Sequence, residues 1–283
     1  MGDKRGMDSA AWNHGTAGRA RMFVALVRRP GEKLDQDYRT IMEDLVPVVG
    51  QLIVIPPVAA FVPMLLSDYS PGAWKLGLLA ASGSLFLAAI IWYLLKLRDM
   101  FVKRGKIRLG LFGERAVGDQ LEILKTESYR VFHDVPCLGG GGPFNLNHVI
   151  VGRGGLAVIK TKTYRKPKEG AAKANCRVEF DGTQLIWPWG RSTGELEQVQ
   201  RNADWLKAYL KKELAVDVKP MQVLSIPGWY VHTSKPGKVR VLNQKQLPKG
   251  INDLRGPLTA KEEELVVRRL ASKCSDVTFQ MVA

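Results

Sequence analysis

The chain has 283 residues and 42 Lys and Arg against 27 Asp and Glu, a formal net charge of +15. That balance points to anionic partners, nucleic acid or the negative inner face of a membrane, and charge alone does not choose between them. Three cysteines, Cys137, Cys176 and Cys274, are odd in number and make no Cys-x-x-Cys or Cys/His spacing. This excludes a disulfide framework and a structural zinc and suits a cytosolic soluble part.

Residues 1–20 are polar and aperiodic and read as a flexible tail, and Gly6 stands where a myristoylation signal wants Ser or Thr. Arg28-Arg29-Pro30 and the charged stretch to Asp44 read as a solvated segment or a short juxtamembrane helix. Residues 45–67 and 76–95 then lack any charged side chain. Each run suffices to cross a hydrocarbon core about 30 Å thick at about 1.5 Å per residue. The first contains Gln51, Pro47, Pro56, Pro57 and Pro63 and is expected to kink. The second offers Gly77, Ser82, Gly83 and Ser84 for close packing. Only Asp68-Tyr69-Ser70-Pro71-Gly72 separates them.

Basic residues flank the pair on the outside. Arg28, Arg29, Lys33 and Arg39 precede it, Lys96, Arg98, Lys103, Arg104, Lys106 and Arg108 follow it, and the turn has only Lys75. Both ends are therefore expected on the cytosolic side of the inner membrane, with Tyr69, Trp74, Trp92 and Tyr93 at the interfaces. The long polar N-terminal region excludes a cleaved signal peptide.

Past a basic linker (96–109), the sequence predicts an amphipathic helix opening at Gly110, with Glu114 in its first turn, where the helix dipole favours a carboxylate. A strand is expected over 129–135. The glycines 139–142 read as a flexible loop, and without a following Lys-Ser or Lys-Thr they are not a phosphate loop. Val149 to Val151 and Leu156 to Ile159 are nearly continuous aliphatic runs. Gly152, Gly154 and Gly155 between them are expected to supply positive φ, so the stretch reads as a β-hairpin covered on both faces. A hairpin of this length brings Asn147, Lys160 and Lys162 to one end of a sheet.

Arg165, Lys166, Lys168 and Lys173 form a basic excursion that reads equally as a solvated loop or as a phosphate-tracking surface. Two short strands are expected around Asp181-Gly182. A helix over 195–213 carries Leu196, Val199, Ala203, Leu206 and Leu210 on one face, with Gln198 near its start. Strands follow over 221–226, 229–232 and 239–242. The chain closes on a helix over 258–273 announced by a Thr259-x-x-Glu262 capping box.

The hairpin from Asn147 to Lys162, the following Thr163-Tyr164-Arg165-Lys166-Pro167, the earlier Gly110-x-x-Gly113-Glu114 and the later Gln198 with Asn202-Ala203 resemble the nuclease-related domain (NERD) family of the restriction-endonuclease-like, PD-(D/E)xK fold. The resemblance covers about 110–252. It implies an α/β domain with a mixed central sheet flanked by helices, preceded here by a two-helix transmembrane hairpin (1–44 tail, 45–95 spans, 96–109 linker, 253–283 closing helix and tail).

The resemblance also implies Mg2+ or Mn2+ held on carboxylates, with Glu114 as one ligand, Lys162 as the catalytic lysine and Gln198 near the active site. Two positions depart from the family pattern. Asn147 stands where the family has Asp, and Lys160 where it has the Glu of Glu-x-Lys. A neutral amide is a weak ligand, and an ammonium repels a divalent cation. The expected protein is thus a membrane-anchored binder of nucleic acid, DNA ahead of RNA, of nuclease ancestry and without cleavage. One alternative is an active nuclease, with ligands relocated to Asp134 or Glu179 or with inactivating substitutions in an active parent. The other is a non-enzymatic membrane adaptor.

Overall fold

The computed structural model describes residues 28–69, 71–127, 129–166, 176–252, 254 and 256–279. The chain divides into two compact units.

One unit comprises Gly31–Gly113 with Thr163–Arg165. It holds α1 (Glu32–Asp68) and most of α2 (Gly72–Glu122). Both are long and apolar enough to cross a membrane. Val46, Ile53, Phe61, Leu87 and Trp92 are each more than half exposed, an arrangement that costs heavily in water and nothing in a hydrocarbon medium. The charged segment before the first apolar run is no separate helix: α1 begins at Glu32 and includes it, together with all four prolines. Gly77 and Gly83, expected at a close helix contact, face open space. The helices meet instead where Ser82 Oγ donates to the Ala60 carbonyl at 2.6 Å. Further along, the Arg104 guanidinium donates to Tyr38 Oη at 3.1 Å and lies over its ring.

The basic linker is likewise helical, and Gly110 starts nothing. Because α2 runs on to Glu122, Glu114 lies deep in a long helix rather than in a first turn, and no helix terminus supports its charge.

The other unit contains two sheets. The larger has strand order β1-β2-β3-β7-β9, from β1 (Arg130–Gly139), β2 (Gly142–Gly152), β3 (Gly155–Thr161), β7 (Met221–Ser225) and β9 (Arg240–Leu242). β1, β2 and β3 are antiparallel neighbours, whereas β3, β7 and β9 run parallel. The sheet is mixed, as expected. The glycine run does not form a loop leading to Asn147. Gly139 pairs with Gly142, making a tight reversal in which Gly142 takes φ 104°. In the next reversal Gly155 alone of the three expected glycines has a positive φ, 129°.

Alternation along the central strands sorts the core. Val149, Val151, Leu156 and Val158 face Ala203, Leu206 and Leu210 of α3 (Gly194–Leu214) and Val266 and Leu270 of α5 (Ala260–Phe279). Ile150, Ala157, Ile159 and Val223 face Val117 and Leu121 at the end of α2, with Leu247 and Ile251 of α4 (Leu247–Ile251). Each such aliphatic side chain contributes about 1.5–3 kcal/mol by leaving water. The capping box at Thr259 forms in both directions, Thr259 N to Glu262 Oε2 at 2.8 Å and Glu262 N to Thr259 Oγ1 at 3.2 Å.

The smaller sheet has the order β6-β5-β4-β8, from β4 (Arg177–Phe180), β5 (Leu185–Trp187), β6 (Gly190–Ser192) and β8 (Tyr230–Thr233). β4 and β8 are parallel and the other pairs antiparallel.

Candidate functional site

The β2–β3 ladder runs from Gly152 opposite Gly155 to His148 opposite Ile159. Asn147 and Lys160 are the next residues on the two strands, and the Asn147 amide reaches the helix that packs on the face of Ile150 and Ile159. There the regular ladder gives way to a side-chain contact, as Thr161 N donates to Asn147 Oδ1 at 3.4 Å. The other end of the amide turns to the helix: Asn147 Nδ2 donates to Glu114 Oε1 at 2.5 Å. Glu114 is 6 % exposed and Asn147 5 %. The second carboxylate oxygen, Glu114 Oε2, is buried without a hydrogen-bond partner.

On the far side of β2, Asp134 of β1 falls in the register opposite Asn147, between the pairs His133–His148 and Val135–Leu146. Its backbone takes φ 52°, a left-handed conformation in the middle of a strand. Asp134 is 2 % exposed. Its Oδ1 accepts from Asn145 Nδ2 at 3.2 Å, and its carbonyl accepts from Arg28 Nη1 at 3.1 Å. Burial is the main cause that pushes the Glu114 carboxyl up to about 7; the Asp134 charge adds to it and the Lys160 ammonium opposes it. Glu114, Asp134, Asn147 and Lys160 thus form one interacting cluster.

A row of imidazoles lies beside it. His133 Nδ1 and His148 Nδ1 are 2.8 Å apart, His133 Nε2 lies 3.4 Å from Glu122 Oε1, and His148 Nε2 lies 3.3 Å from Thr161 Oγ1. Burial depresses both rings, His133 to about 4 and His148 well below its ordinary value, so both are neutral at physiological pH. Two neutral rings meeting through like nitrogens, one end on a carboxylate, admit one consistent pattern. Thr161 O–H donates to His148 Nε2, His148 Nδ1–H to His133 Nδ1, and His133 Nε2–H to Glu122.

Lys162 follows the end of β3, half-buried, with its backbone N–H donating to the Ser225 carbonyl at 2.9 Å. Strand alternation puts its side chain on the same face as Lys160. Gln198 is half-buried in α3, the helix packed over β3 and β7. Arg165 sets its guanidinium against α2 at Gly105, and the exposed Lys166 lies beside Gly228. Lys168 and Lys173 lie outside the described residues. Glu179 belongs to β4 of the smaller sheet, whereas Asp134 reaches the cluster. Asp134, His133 and Thr161 carried no sequence pattern that marks a site.

These donors do not fit a hard divalent cation. Glu114 Oε1 and both ends of the Asn147 amide are engaged within the protein, the Lys160 cation stands by Glu114, and one orphaned oxygen cannot replace the six or more oxygens such ions take. Among the described residues no group of three His, Cys, Asp or Glu side chains is placed to hold a metal.

The mixed sheet flanked by helices, with the β2–β3 hairpin carrying this cluster, defines a restriction-endonuclease-like α/β domain. Residues 109–225 match the family model of the nuclease-related domain. Neither curated proteins nor solved structures supply a match.

Proposed function

We propose that this chain is a membrane-anchored nuclease-related protein that binds nucleic acid, DNA ahead of RNA, at the cytosolic face and does not cleave it. The observation that carries the reading is the buried hydrogen bond from Asn147 Nδ2 to Glu114 Oε1 at 2.5 Å. A cation belonging to the chain sits where a metal-binding carboxylate is implied by the family pattern, and Asn147 closes the Glu114 carboxylate with a hydrogen bond. Phosphodiester cleavage in this fold relies on metal-bound oxygens to generate the nucleophile and to bear the developing charge. Without that set, the net charge of +15 and the exposed Arg165 and Lys166 support binding. Lys162 and Gln198 keep the positions of the catalytic lysine and its neighbour, and Lys168 and Lys173 extend the basic segment.

The two apolar helices with exposed aliphatic surfaces support anchoring, and the basic flanks on the outer sides of the spans support cytosolic termini in an inner membrane. A second reading, an active nuclease with a relocated ligand, is favoured by Asp134 alone, which lies close enough to Glu114 to act on its charge.

Incubation of the purified full-length chain with plasmid and with single-stranded DNA in Mg2+ or Mn2+ separates the two. The expected outcome is intact DNA, with binding that falls steeply between about 50 and 200 mM salt, as counterion release requires. Metal-dependent cutting establishes the second reading. Absence of salt-dependent binding leaves a non-enzymatic adaptor.

A further inference from the structure

The smaller sheet has one face turned into the unit and one turned out. Val178, Phe180, Leu185, Trp187 and Val231 are buried, and the residues that alternate with them are not. Register fixes how those outward residues are arranged. Arg191 pairs with Ile186, Ile186 with Glu179 and Glu179 with His232, a row crossing all four strands. At about 4.8 Å per strand the row spans roughly 14 Å. Two residues along, Arg177 pairs with Tyr230. Tyr230 is 62 % exposed, and the Arg177 guanidinium lies 5.9 Å from its ring centroid. Arg191 is also exposed, whereas Ile186, Glu179 and His232 are half-buried.

An exposed aromatic ring on the edge strand β8, an imidazole one step away, a guanidinium on the neighbouring β4 and another on the opposite edge strand β6 match the chemistry of an unpaired nucleotide strand. Bases stack on the rings and phosphates meet the arginines. A duplex hides its base faces and offers a flat sheet little beyond phosphates. The carboxylate of Glu179, two residues from Arg177 on β4 and two strands from Arg191, selects against a featureless anionic surface such as a lipid headgroup layer and suits the exocyclic amino group of a base.

From this arrangement we infer that the open face of the smaller sheet is a binding platform for single-stranded nucleic acid, with Tyr230 as the stacking residue and Arg177 and Arg191 as phosphate contacts. The inference rests on the nucleic-acid reading above and adds the strand state and the surface to it.

The test uses the full-length chain in detergent micelles with a fluorescent oligodeoxythymidylate of about 15 nucleotides, near the site size of such platforms, and a duplex of equal length. Wild type is expected to prefer the single strand. Tyr230→Ala should weaken that binding by about tenfold, in line with one lost base stack, and Tyr230→Phe should restore it. The Arg177→Ala/Arg191→Ala variant should lose affinity and flatten the salt dependence. Single-strand binding unchanged in Tyr230→Ala and in the arginine variant overturns the platform and leaves the general reading intact. A preference for duplex overturns the platform in the same way. Binding of neither form overturns both. Circular dichroism of the variants identifies any that fail to fold, and ultraviolet cross-linking of wild type to the oligonucleotide then decides by whether the 230-containing peptide is labelled.

Discussion

At the scale of single residues, the buried cluster makes two opposed demands on pH. Unfolded imidazoles titrate near 6.5, while His133 holds out to about 4 and burial keeps His148 well below its ordinary value. Below pH 6.5 the unfolded chain takes up protons that the native chain refuses, so stability falls as pH drops, by about 2 kcal/mol for His133 at pH 5, and His148 acts in the same direction. Glu114 acts in the opposite sense. Its native carboxyl is raised to about 7, so the native state keeps a proton that the unfolded state loses, and stability falls as pH climbs from about 4.5 to 7. Glu114→Gln removes this second contribution while leaving an acceptor for Asn147. Its melting temperature is expected to exceed wild type at pH 8.5 and to drop more steeply than wild type toward pH 5. Differential scanning fluorimetry across that range reads both. Wild type and variant with parallel profiles would mean that Glu114 is ionised at no cost.

The same cluster carries a gain-of-function test. Asn147→Asp with Lys160→Glu adds two carboxylates to Glu114 and Asp134 and removes the ammonium, which gives the oxygen charge a hard cation requires. Millimolar Mn2+ should raise the melting temperature of the double variant and leave wild type unmoved, and the loaded double variant should nick DNA. Adding Lys162→Ala should abolish nicking and spare the Mn2+ shift, since a lysine outside the ligand set acts on the developing charge. A double variant indifferent to Mn2+ would remove Asn147 and Lys160 from the metal positions.

At the scale of elements, the continuity of α2 changes what the N-terminal half is. A helix of 51 residues is about 77 Å long, more than twice a hydrocarbon core. Its apolar part lies in the first half and its basic residues follow in the same helix. The expected behaviour is that of an integral protein. The chain should stay with the membrane fraction through alkaline carbonate and high salt, and a phosphatase reporter that works only in the periplasm should be inactive when fused after Ala283. Release by carbonate would mean that α1 and α2 pack on another protein instead of lipid. Arg28 and Pro30, which precede α1, belong to the same unit as the sheets. Arg28 donates to the Asp134 carbonyl, and Pro30 fits against Gly118 at a distance no Cβ would tolerate.

At the scale of the whole molecule, local pattern determined a good deal. The charge-free runs marked two helices long and apolar enough to cross a membrane, because length and apolarity are properties of a contiguous segment. The nearly continuous aliphatic runs and the glycine reversal marked the β2–β3 hairpin and put Asn147 and Lys160 at one end, since a strand covered on both faces needs apolar side chains of both parities. The apolar stripe of α3 and the capping box of α5 were legible for the same reason: each is a relation among residues three or four apart. Tertiary structure decided the rest. Asn147 meets Glu114 across 33 residues, His133 meets His148 across 15, and Arg28 meets Asp134 across 106. No short-range period encodes such contacts, which arise only when separate elements are packed face to face. The left-handed turn at Asp134, the neutral imidazole row and the parallel pairing of β4 with β8 all belong to that class. Sequence alone named Asn147 and Lys160, whereas packing decided that the Asn147 amide meets Glu114 Oε1.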